Sequence, residues 1–346
     1  MLKSRLCIAF FAFAVGCAPA QKPLTDYVNP MLGTATLWDS VDLGFKPTKR
    51  TWGAEVFPGS SLPNAMVQVS PVTKFHSGAG YQYEDSVIYG FTHTNKGHWN
   101  LCHIPLLPVT GTPTPGDYCS PFSHERESAA PGYYQVFLDR YGVDAQLSST
   151  LRCAFHKYTY PAGAAASLLA DLQRSNEHVR AWDIRKEGDN VFAGWQQTGE
   201  KMYFYAVANR PVTGIEPVVE GDREVRIVRF GEGDGALELR IGFSFVSEKN
   251  ARENLEAEML GKSFAEVRSE ATATWNDLLG RIRVEGGTER EKGLFYSSLY
   301  RSFLWPALRS DVNGEFTDVD GKVINPGFRY LSLIHISEPT RLGMIS

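Results

Sequence analysis

The sequence predicts a mainly β protein, an antiparallel β-sandwich followed by α-helices. From Val28 to about Phe245, short β-branched and aromatic runs alternate with Gly, Pro, Asn and Asp, as is typical of antiparallel sandwiches. From residue 248 onward these runs disappear, and apolar residues recur at helical spacing. The 346 residues are therefore expected to divide into a β part and a shorter helical part.

The first twenty residues have the pattern of an export signal. A short basic start precedes an apolar run, residues 6–15, that is too short to cross a bilayer as a helix. Two processing sites are compatible with the end of this run. Residues 14–17 (AVGC) resemble a bacterial lipobox with Cys17 as the lipidated residue, and residues 18–20 (APA) suit ordinary signal peptidase. Either route predicts an exported protein: a periplasmic or outer-membrane lipoprotein of a bacterium, or a secreted protein.

The β part, residues 21–246, is predicted from strand-like runs. Residues 224–230 and 237–243 alternate charged and apolar side chains, as strands with one solvated face do. Three more apolar runs lie between turn residues, at 65–69, 134–138 and 202–207. Together they predict one antiparallel sandwich domain.

The helical part is predicted as a linker, residues 247–288, and a further segment, residues 289–330. The linker helix has one apolar stripe, formed by Phe264, Val267, Ala271, Trp275 and Leu278. A strand-like piece at 282–284 comes after it. The second helix is expected over residues 289–304, with Pro306 ending it. Its apolar side consists of Leu294, Tyr296, Leu299, Tyr300 and Phe303.

Composition excludes several classes of function. The formal net charge of −4 argues against nucleic-acid binding, which normally requires a basic face. No GxGxxG or GxxxxGK[ST] follows a strand-like run, so no phosphate-binding loop is indicated. Beyond the leader the cysteines are Cys102, Cys119 and Cys153, without a CxxC pair, which disfavours structural zinc. One disulfide or free buried thiols both stay open.

Residues 90–103 concentrate groups that bind sugars. Pyranoses stack a C–H face on an aromatic ring while planar polar side chains meet their hydroxyls, and Trp99 between His98 and Asn100 is such a set. The alternative is that Trp99 belongs to the core. His93, His98 and His103 recur five residues apart, which matches no common metal motif.

Nine motifs follow one another along the chain. They are residues 28–34 (VNPMLGT), 57–63 (FPGSSLP), 68–71 (QVSP), 80–83 (GYQY), 88–94 (IYGFTHT), 131–136 (PGYYQV), 149–156 (STLRCAFH), 295–300 (FYSSLY) and 310–315 (SDVNGE). In this order they resemble glycoside hydrolase family 92, over residues 28 to about 330. Several ordered motifs make an accidental match improbable.

The resemblance implies a fold and an activity. The fold is a galactose-mutarotase-like supersandwich joined through linker helices to an (α/α)6 barrel, with the active site between them. The activity is that of a calcium-dependent, exo-acting, inverting α-mannosidase that removes terminal mannose from N-glycan-type manno-oligosaccharides or glycoproteins. Residues 95–103 (NKGHWNLCH) look like the variant of this loop found among α-1,2-mannosidases, which implies that linkage.

The resemblance also implies which residues contact substrate. His93, Thr94, Gly33 and Thr34 are expected to line the domain interface. Trp99 is the foremost expected ligand contact, and His98 and Asn100 flank it. In the family the acid, the base and the calcium ligands lie in the barrel, beyond residues 310–315, so no catalytic or metal-binding residue is assigned here. Asp311 and Glu315 are assigned a turn or surface role.

The last sixteen residues, 331–346, fit neither the preceding helix nor a closing strand. They are predicted to be a non-native tail, the alternative being an ordinary disordered one. Residues 289–330 are then the start of a barrel that is missing, and the chain is a fragment, inactive by itself, with the carbohydrate-binding half of the site. The alternatives are a non-catalytic carbohydrate-binding module and an inactive surface lipoprotein remnant. The sequence does not indicate an oligomeric state.

Overall fold

The computed structural model describes residues 22–36, 56–96, 99–318, 320–327 and 329–332. Cys17, His98 and the tail beyond 332 lie outside these ranges. The helices are 3-10 turns at Leu24–Tyr27 and His124–Arg126, and α1 Glu248–Glu258, α2 Phe264–Leu279 and α3 Glu289–Ser302. The strands are β1 Ser60–Ser61, β2 Gln68–Val72, β3 Val87–Ile88, β4 Gly90–Thr92, β5 Asn95–Lys96, β6 Trp99–Asn100, β7 Leu106–Val109, β8 Ser120–Pro121, β9 Glu127–Ala130, β10 Tyr133–Leu138, β11 Val143–Ser149, β12 Cys153–Thr159, β13 Ser167–Ala170, β14 Ala181–Lys186, β15 Val191–Gln197, β16 Lys201–Ala208, β17 Val212–Glu220, β18 Arg223–Phe230, β19 Leu237–Ser244, β20 Ala307–Leu308, β21 Phe316–Thr317, β22 Val323–Ile324 and β23 Leu331–Ser332.

Two antiparallel sheets form the main body. Within the described residues one sheet has the strand order β1-β2-β4-β7-β13-β18-β17, and the other has the order β14-β15-β16-β19-β12-β11-β10-β9. Apolar side chains from both sheets interdigitate between them: Phe91 of β4 packs against Tyr134 of β10 and Tyr158 of β12 at centroid distances of 6.4 and 6.3 Å. The predicted mainly β fold, an antiparallel sandwich followed by helices, is confirmed.

Strand β19 shows how the sequence pattern produces the layers. Leu237, Leu239 and Ile241 are fully buried and belong to the core between the sheets, whereas Glu238 and Arg240 point to the other face. On that outer face Gly242 leaves room for helix α1: a Cβ built at Gly242 would lie 2.1 Å from the carbonyl oxygen of Ala251. A glycine in the strand therefore allows the helix to lie directly against the sheet.

The helices form a further layer on the outer face of the eight-stranded sheet. Leu255 of α1 and Phe264 and Val267 of α2 pack against Tyr133 and Phe155 of the sheet. Both α2 and α3 begin with a complete capping box, at Ser263 and Thr288 respectively.

The N-terminal segment returns to these helices. A second apolar cluster joins the segment and the loop before β1 to α2 and α3, and its buried members are Leu24, Val28, Phe57, Trp275, Leu279, Tyr296, Tyr300 and Leu304. Asn29 donates its backbone N–H to Ser297 Oγ at 2.9 Å, and Trp275 Nε1 donates to the carbonyl of Ser61 at 2.8 Å. These contacts fix residues 22–36 against the helical layer.

Several element boundaries differ from the sequence expectation. The run at 65–69 contributes only its last two residues to β2, and α3 ends at Ser302, four residues before Pro306. Residues 282–284 form no strand in the described structure, because the Tyr296 hydroxyl binds their backbone, accepting from Val284 N and donating to Ile282 O. The rest of the predicted stripe on α2 is buried, but Leu279 is more deeply buried than Leu278.

The side chains of α3 depart from expectation at one position: Leu294 is 45% exposed, whereas Tyr296 and Tyr300 are buried. The thiols of Cys102, Cys119 and Cys153 are all free, which decides between a disulfide and free thiols. No helix among the described residues is long and apolar enough to cross a membrane. The domain boundaries at 246, 288 and 330 stay predictions.

Candidate functional site

Three segments that the sequence singled out lie side by side in the structure. Residues 80–83 lie between the segment that contains Thr34 and the segment that contains Asn100. On one side, Tyr83 donates its backbone N–H to the carbonyl of Thr34 at 3.2 Å. On the other side, Gly80 has φ +73°, and a Cβ there would lie 2.7 Å from Asn100 Nδ2. Glycine is thus required both by the backbone conformation and by the close approach of Asn100.

The expected ligand residue Trp99 lies on a short hairpin. Strands β5 and β6 pair Asn95 with Asn100 and Lys96 with Trp99. His98 is outside the described residues, as is the side chain of Trp99. The hairpin is held at its base, where Leu101 donates its N–H to the carbonyl of Thr94 at 3.1 Å.

Asn100 is buried beneath this hairpin. It is 1% exposed, its Oδ1 accepts from Cys102 N at 2.8 Å, and its Nδ2 donates to Thr92 Oγ1 at 3.1 Å. Asn176 Nδ2 donates to the Asn100 carbonyl at 2.6 Å. In the described arrangement, Asn100 therefore braces the hairpin from below.

The turn after the hairpin is strained. Cys102 and Ile104 have φ values of +54° and +53°, and a β-branched residue such as Ile rarely adopts this region. Each such residue costs on the order of 1–3 kcal/mol. Side chains from other segments hold the turn: Ile104 N donates to Gln196 Oε1 at 2.8 Å, and Ser175 Oγ donates to the Leu101 carbonyl at 2.6 Å. Strain retained in this way is typical of functional loops.

His103 connects this turn to the edge of the other sheet. Its Nε2 lies 3.0 Å from Thr198 Oγ1, and Thr198 itself donates to Glu177 Oε2 at 2.6 Å. Since the Thr198 proton is directed to Glu177, Nε2 carries the hydrogen and donates to Thr198. In a neutral ring Nδ1 then accepts from Thr94 Oγ1, 2.8 Å away. The chain of bonds fixes Thr94 and the hairpin against Glu177.

His93 forms a buried pair with His156. The two Nε2 atoms are 3.0 Å apart, both residues are fully buried, and His156 Nδ1 lies 2.6 Å from Tyr158 Oη. Burial lowers the pKa of His93 to about 3, and burial together with the neighbouring His93 lowers the pKa of His156 well below its usual value. Both rings are therefore neutral, and one Nε2–H donates to the other ring.

This pair predicts a loss of stability in mild acid. The pKa of His93 is lower in the folded state than in the unfolded chain, so its contribution is complete above about pH 6.5 and is lost as the pH falls towards 3. Between pH 6.5 and pH 5 we expect His93 alone to lower the free energy of unfolding by about 2 kcal/mol. Urea unfolding at pH 7, 6 and 5 measures this change. In the double variant His93→Leu, His156→Phe the free energy of unfolding should fall less between pH 7 and pH 5. An unchanged pH dependence would contradict the view that this buried pair causes the loss.

The predicted substrate residues differ in their accessibility. His93 and Thr94 are 0% and 2% exposed, and Thr34 is 5% exposed with its hydroxyl donating to the Met31 carbonyl. Gly33, with φ +87°, is partly exposed. Of the described site residues, only Gly33 thus has surface in this arrangement, and the others form its support. Their contact with substrate stays a prediction.

The described residues do not fit a calcium ion. No group of three or more His, Cys, Asp or Glu in the described ranges could hold a metal. Asp311, which the sequence assigned to a turn or surface role, does begin a turn, because Gly314 donates its N–H to the Asp311 carbonyl at 3.0 Å, but its side chain is buried and the residue is 2% exposed. Its carboxylate accepts hydrogen bonds from three neutral donors, namely Ser244 Oγ at 2.6 Å, Asn250 Nδ2 at 2.9 Å and Asn254 Nδ2 at 2.7 Å. Burial raises the pKa of Asp311, although these donors oppose the shift.

Sequence reasoning missed a polar cluster beside this site. The Glu127 side chain is 1% exposed and accepts from Tyr81 Oη at 3.0 Å, Tyr134 Oη at 2.5 Å and His124 Nδ1 at 2.6 Å. His124 Nε2 lies 2.7 Å from the carbonyl of Tyr83. The cluster thus connects β9 and β10 to the segment 80–83. Two motifs, GYQY with Tyr81 and PGYYQV with Tyr134, contain members of the cluster, but no local pattern connects them with Glu127 and His124.

Family models match nearly the whole described chain. The N-terminal domain of glycosyl hydrolase family 92 matches residues 27–254, which is more than half of the chain, and the catalytic domain of the same family matches residues 250–335.

Solved and curated proteins agree with these matches. A family GH92 alpha-mannosidase from Bacteroides thetaiotaomicron superposes with a TM-score of 0.80 at 25% identity, over 90% of this chain and 45% of that chain. The same enzyme in complex with mannoimidazole gives a TM-score of 0.78 at 25% identity, over 90% and 44% of the two chains. An uncharacterized secreted glycosidase of Arthroderma benhamiae is 24% identical, over 84% of this chain and 42% of that protein. The chain spans less than half the length of these relatives.

Proposed function

The chain belongs to glycosyl hydrolase family 92, and on this basis we propose that it supplies the carbohydrate-binding half of an exo-acting, inverting α-mannosidase site. Its substrates are terminal mannose residues of N-glycan-type manno-oligosaccharides or glycoproteins. The solved family member that binds mannoimidazole supports the substrate class.

One observation carries this proposal: the segments bearing Gly33–Thr34 and Trp99, which are more than sixty residues apart, are brought together by the segment 80–83. The backbone bond from Tyr83 to Thr34 and the contact of Gly80 with Asn100 form one continuous rim. Strain in the adjacent turn and a buried frame of hydrogen bonds keep that rim rigid. A rigid rim is what oriented binding of a sugar requires.

The roles proposed for the residues of this chain follow from the chemistry of an inverting glycosidase. Inversion requires a protonated acid and a base about 6.5–9.5 Å apart on opposite faces of the sugar, and the acid must have a raised pKa. We assign neither role to a described residue. This chain holds the sugar: the ring of Trp99 stacks on a pyranose, and His98 and the backbone at Gly33 meet its hydroxyls. Thr34, Asn100, His93 and Thr94 fix these groups from below.

The proposal extends to the glycosidic linkage and to the calcium ion. The residues 95–103 support a preference for α-1,2-linked mannose, with Trp99 on the sugar beyond the scissile bond. Calcium, when bound, would orient and distort the mannose through oxygen ligands. Since the described residues do not fit it, we place its ligands outside them. Export through the leader, with Cys17 as a lipid anchor or with simple secretion, agrees with extracellular glycans as substrates.

The test is Trp99→Ala in the full chain. We expect affinity for α-1,2-mannobiose, measured by saturation-transfer NMR and titration, to fall about tenfold, because a stacked aromatic ring contributes roughly that much to binding. The matched control is Trp195→Ala, which removes a partly buried indole lying under Lys201 on the other sheet. It should leave the affinity unchanged.

Three outcomes discriminate the alternatives. Calcium-dependent mannose release by the complete gene product supports an enzyme, whereas binding of the disaccharide by that product without release supports a carbohydrate-binding module. If the full chain binds no mannoside, and Trp99→Ala instead lowers the melting temperature by several degrees, Trp99 is a core residue and the proposal fails.

A further inference from the structure

We propose that Tyr83 is a second aromatic platform of the same site, on which a further pyranose of a bound manno-oligosaccharide stacks. This inference rests on the proposed function, because it assumes that the rim formed by Thr34, the segment 80–83 and the Trp99 hairpin binds mannosides. Tyr83 belongs to the motif 80–83, but the expected substrate contacts do not include it. Its support comes from the exposure of the ring, the contacts beneath it and its surroundings.

Tyr83 is exposed although one face of its ring is covered. The residue is 40% exposed, and the His124 imidazole stacks on the ring at a centroid distance of 3.9 Å with only 2° between the planes. Since one face is covered, the exposed fraction belongs mainly to the opposite face. A tyrosine serving only the core would have both faces covered, as for Tyr81 and Tyr134, which are 2% and 0% exposed.

Tyr83 is held in place by three contacts. Its backbone N–H donates to Thr34 O at 3.2 Å, its carbonyl oxygen lies 2.7 Å from His124 Nε2, and its ring stacks on the same His124. His124 is in turn fixed by Glu127 Oε2, 2.6 Å from Nδ1. Because the two ring nitrogens of His124 lie 2.6 Å from Glu127 Oε2 and 2.7 Å from the Tyr83 carbonyl, the imidazole cannot rotate without breaking these close contacts. Such preorganisation lowers the entropic cost of binding.

Burial of the Glu127 carboxylate, which holds His124 beneath the Tyr83 ring, costs free energy. The Glu127 carboxylate is nearly fully buried and is stabilised by hydroxyl groups of Tyr81 and Tyr134 as well as by His124. A buried carboxylate of this kind is tolerated only when fully hydrogen-bonded. It holds in position a surface ring that takes no part in the core between the two sheets. We take this as an indication that the position of the ring is itself required.

The surroundings favour a sugar over a protein partner. Polar residues flank the ring in sequence, namely Gln82, Glu84 and Asp85, and the carboxylate of Glu84 binds Thr36 of the neighbouring segment. A protein interface normally has a contiguous apolar core of several side chains. Among the described residues, one other exposed apolar side chain, Leu32 at 39%, lies in the neighbouring segment. An aromatic ring with mainly polar neighbours matches the stacking of a pyranose with hydroxyls directed to polar groups.

The test compares Tyr83→Ala with Tyr83→Phe in the full chain. Affinities for methyl α-mannoside and for an α-1,2-linked mannotriose are measured by saturation-transfer NMR and titration. We expect Tyr83→Ala to weaken trisaccharide binding about five- to tenfold and monosaccharide binding much less, because the platform meets an additional sugar. Tyr83→Phe, which keeps the ring, should stay within twofold. Tyr203→Ala, a partly buried tyrosine on the other sheet, is the matched control.

The outcomes separate this inference from the proposed function. Weaker trisaccharide binding by Tyr83→Ala with full retention by Tyr83→Phe supports the platform. Unchanged binding by Tyr83→Ala, while Trp99→Ala weakens it, overturns the platform and leaves the proposed function standing. A loss shared by both Tyr83 variants together with a melting temperature lowered by more than about 5 °C indicates a structural role and also overturns it. If the unmodified chain binds no mannoside, the proposed function fails, and this inference fails with it.

Discussion

Replacing Glu258 by alanine is expected to lower the free energy of unfolding by about 3–5 kcal/mol, because it leaves a buried arginine without its counter-ion. The side chains of Arg152 and Glu258 are only 7% and 13% exposed, and Arg152 Nη1 donates to Glu258 Oε1 at 2.6 Å. Glu258 Oε2 also accepts from Thr150 Oγ1 at 2.6 Å and from the backbone N–H of Arg152 at 2.9 Å. One substitution thus leaves several buried donors without a partner.

Helix α1 offers a matched control for this variant. Glu256 is exposed on the same helix and pairs with Arg252 four residues earlier, so Glu256→Ala should change stability by no more than about 0.5 kcal/mol. The double variant Arg152→Met, Glu258→Leu replaces both charges by apolar groups and should recover part of the loss. Guanidinium unfolding measures all three. A loss of under 1 kcal/mol for Glu258→Ala would contradict the buried pair.

The second large effect concerns the contact between β19 and α1. Gly242→Ala is expected to destabilise the protein by about 3 kcal/mol, at the upper end for overpacking. The added Cβ would lie 2.1 Å from the Ala251 carbonyl oxygen and 2.8 Å from Leu255 Cβ, and neither atom is the end of a flexible side chain. The helix must therefore move away from the sheet and lose its packing against Phe155.

The control for this variant is another strand glycine. A Cβ at Gly214 in β17 would meet no atom within 4 Å, so Gly214→Ala should be neutral or stabilising by up to about 1 kcal/mol. Thermal and urea unfolding of both variants gives the comparison. Equal stability of the two variants would show that α1 does not lie in direct contact with β19.

The sequence predicted the long elements well because their faces differ in polarity. β19 alternates along its length, and α2 repeats apolar residues at helical spacing, so burial of one face could be inferred locally. Two-residue strands such as β3 and β20 could not be predicted, because they are too short to show a period and depend on a distant partner. At 282–284 the competing partner was a hydroxyl group fourteen residues away.

The site was predicted in part. The sequence singled out all three of its segments, residues 28–34, 80–83 and 90–103, since each is continuous, but it assigned substrate contacts only to the first and the last. The Glu127 cluster was missed because Tyr81 and Glu127 are 46 residues apart and no local pattern connects them. The burial of Asp311 was not foreseen for a similar reason. Its neighbours, Asn313 and Gly314, indicate the turn correctly, but Asn250 and Asn254, which bury the carboxylate, lie about sixty residues earlier in the chain.

Because the N-terminal segment packs against the helical layer, it can reach its final position only after the helices have been synthesised. Asn29 binds Ser297, a sequence separation of 268, and Thr25 binds Asn276, a separation of 251. At typical synthesis rates of about 5–20 residues per second, roughly 15–50 seconds pass before these partners emerge. Leu24 and Val28 are therefore synthesised early but meet their apolar partners in α2 and α3 only after those helices have been made. Until then the two side chains lack the cluster that buries them in the folded protein, and exposed apolar surface of this kind favours aggregation.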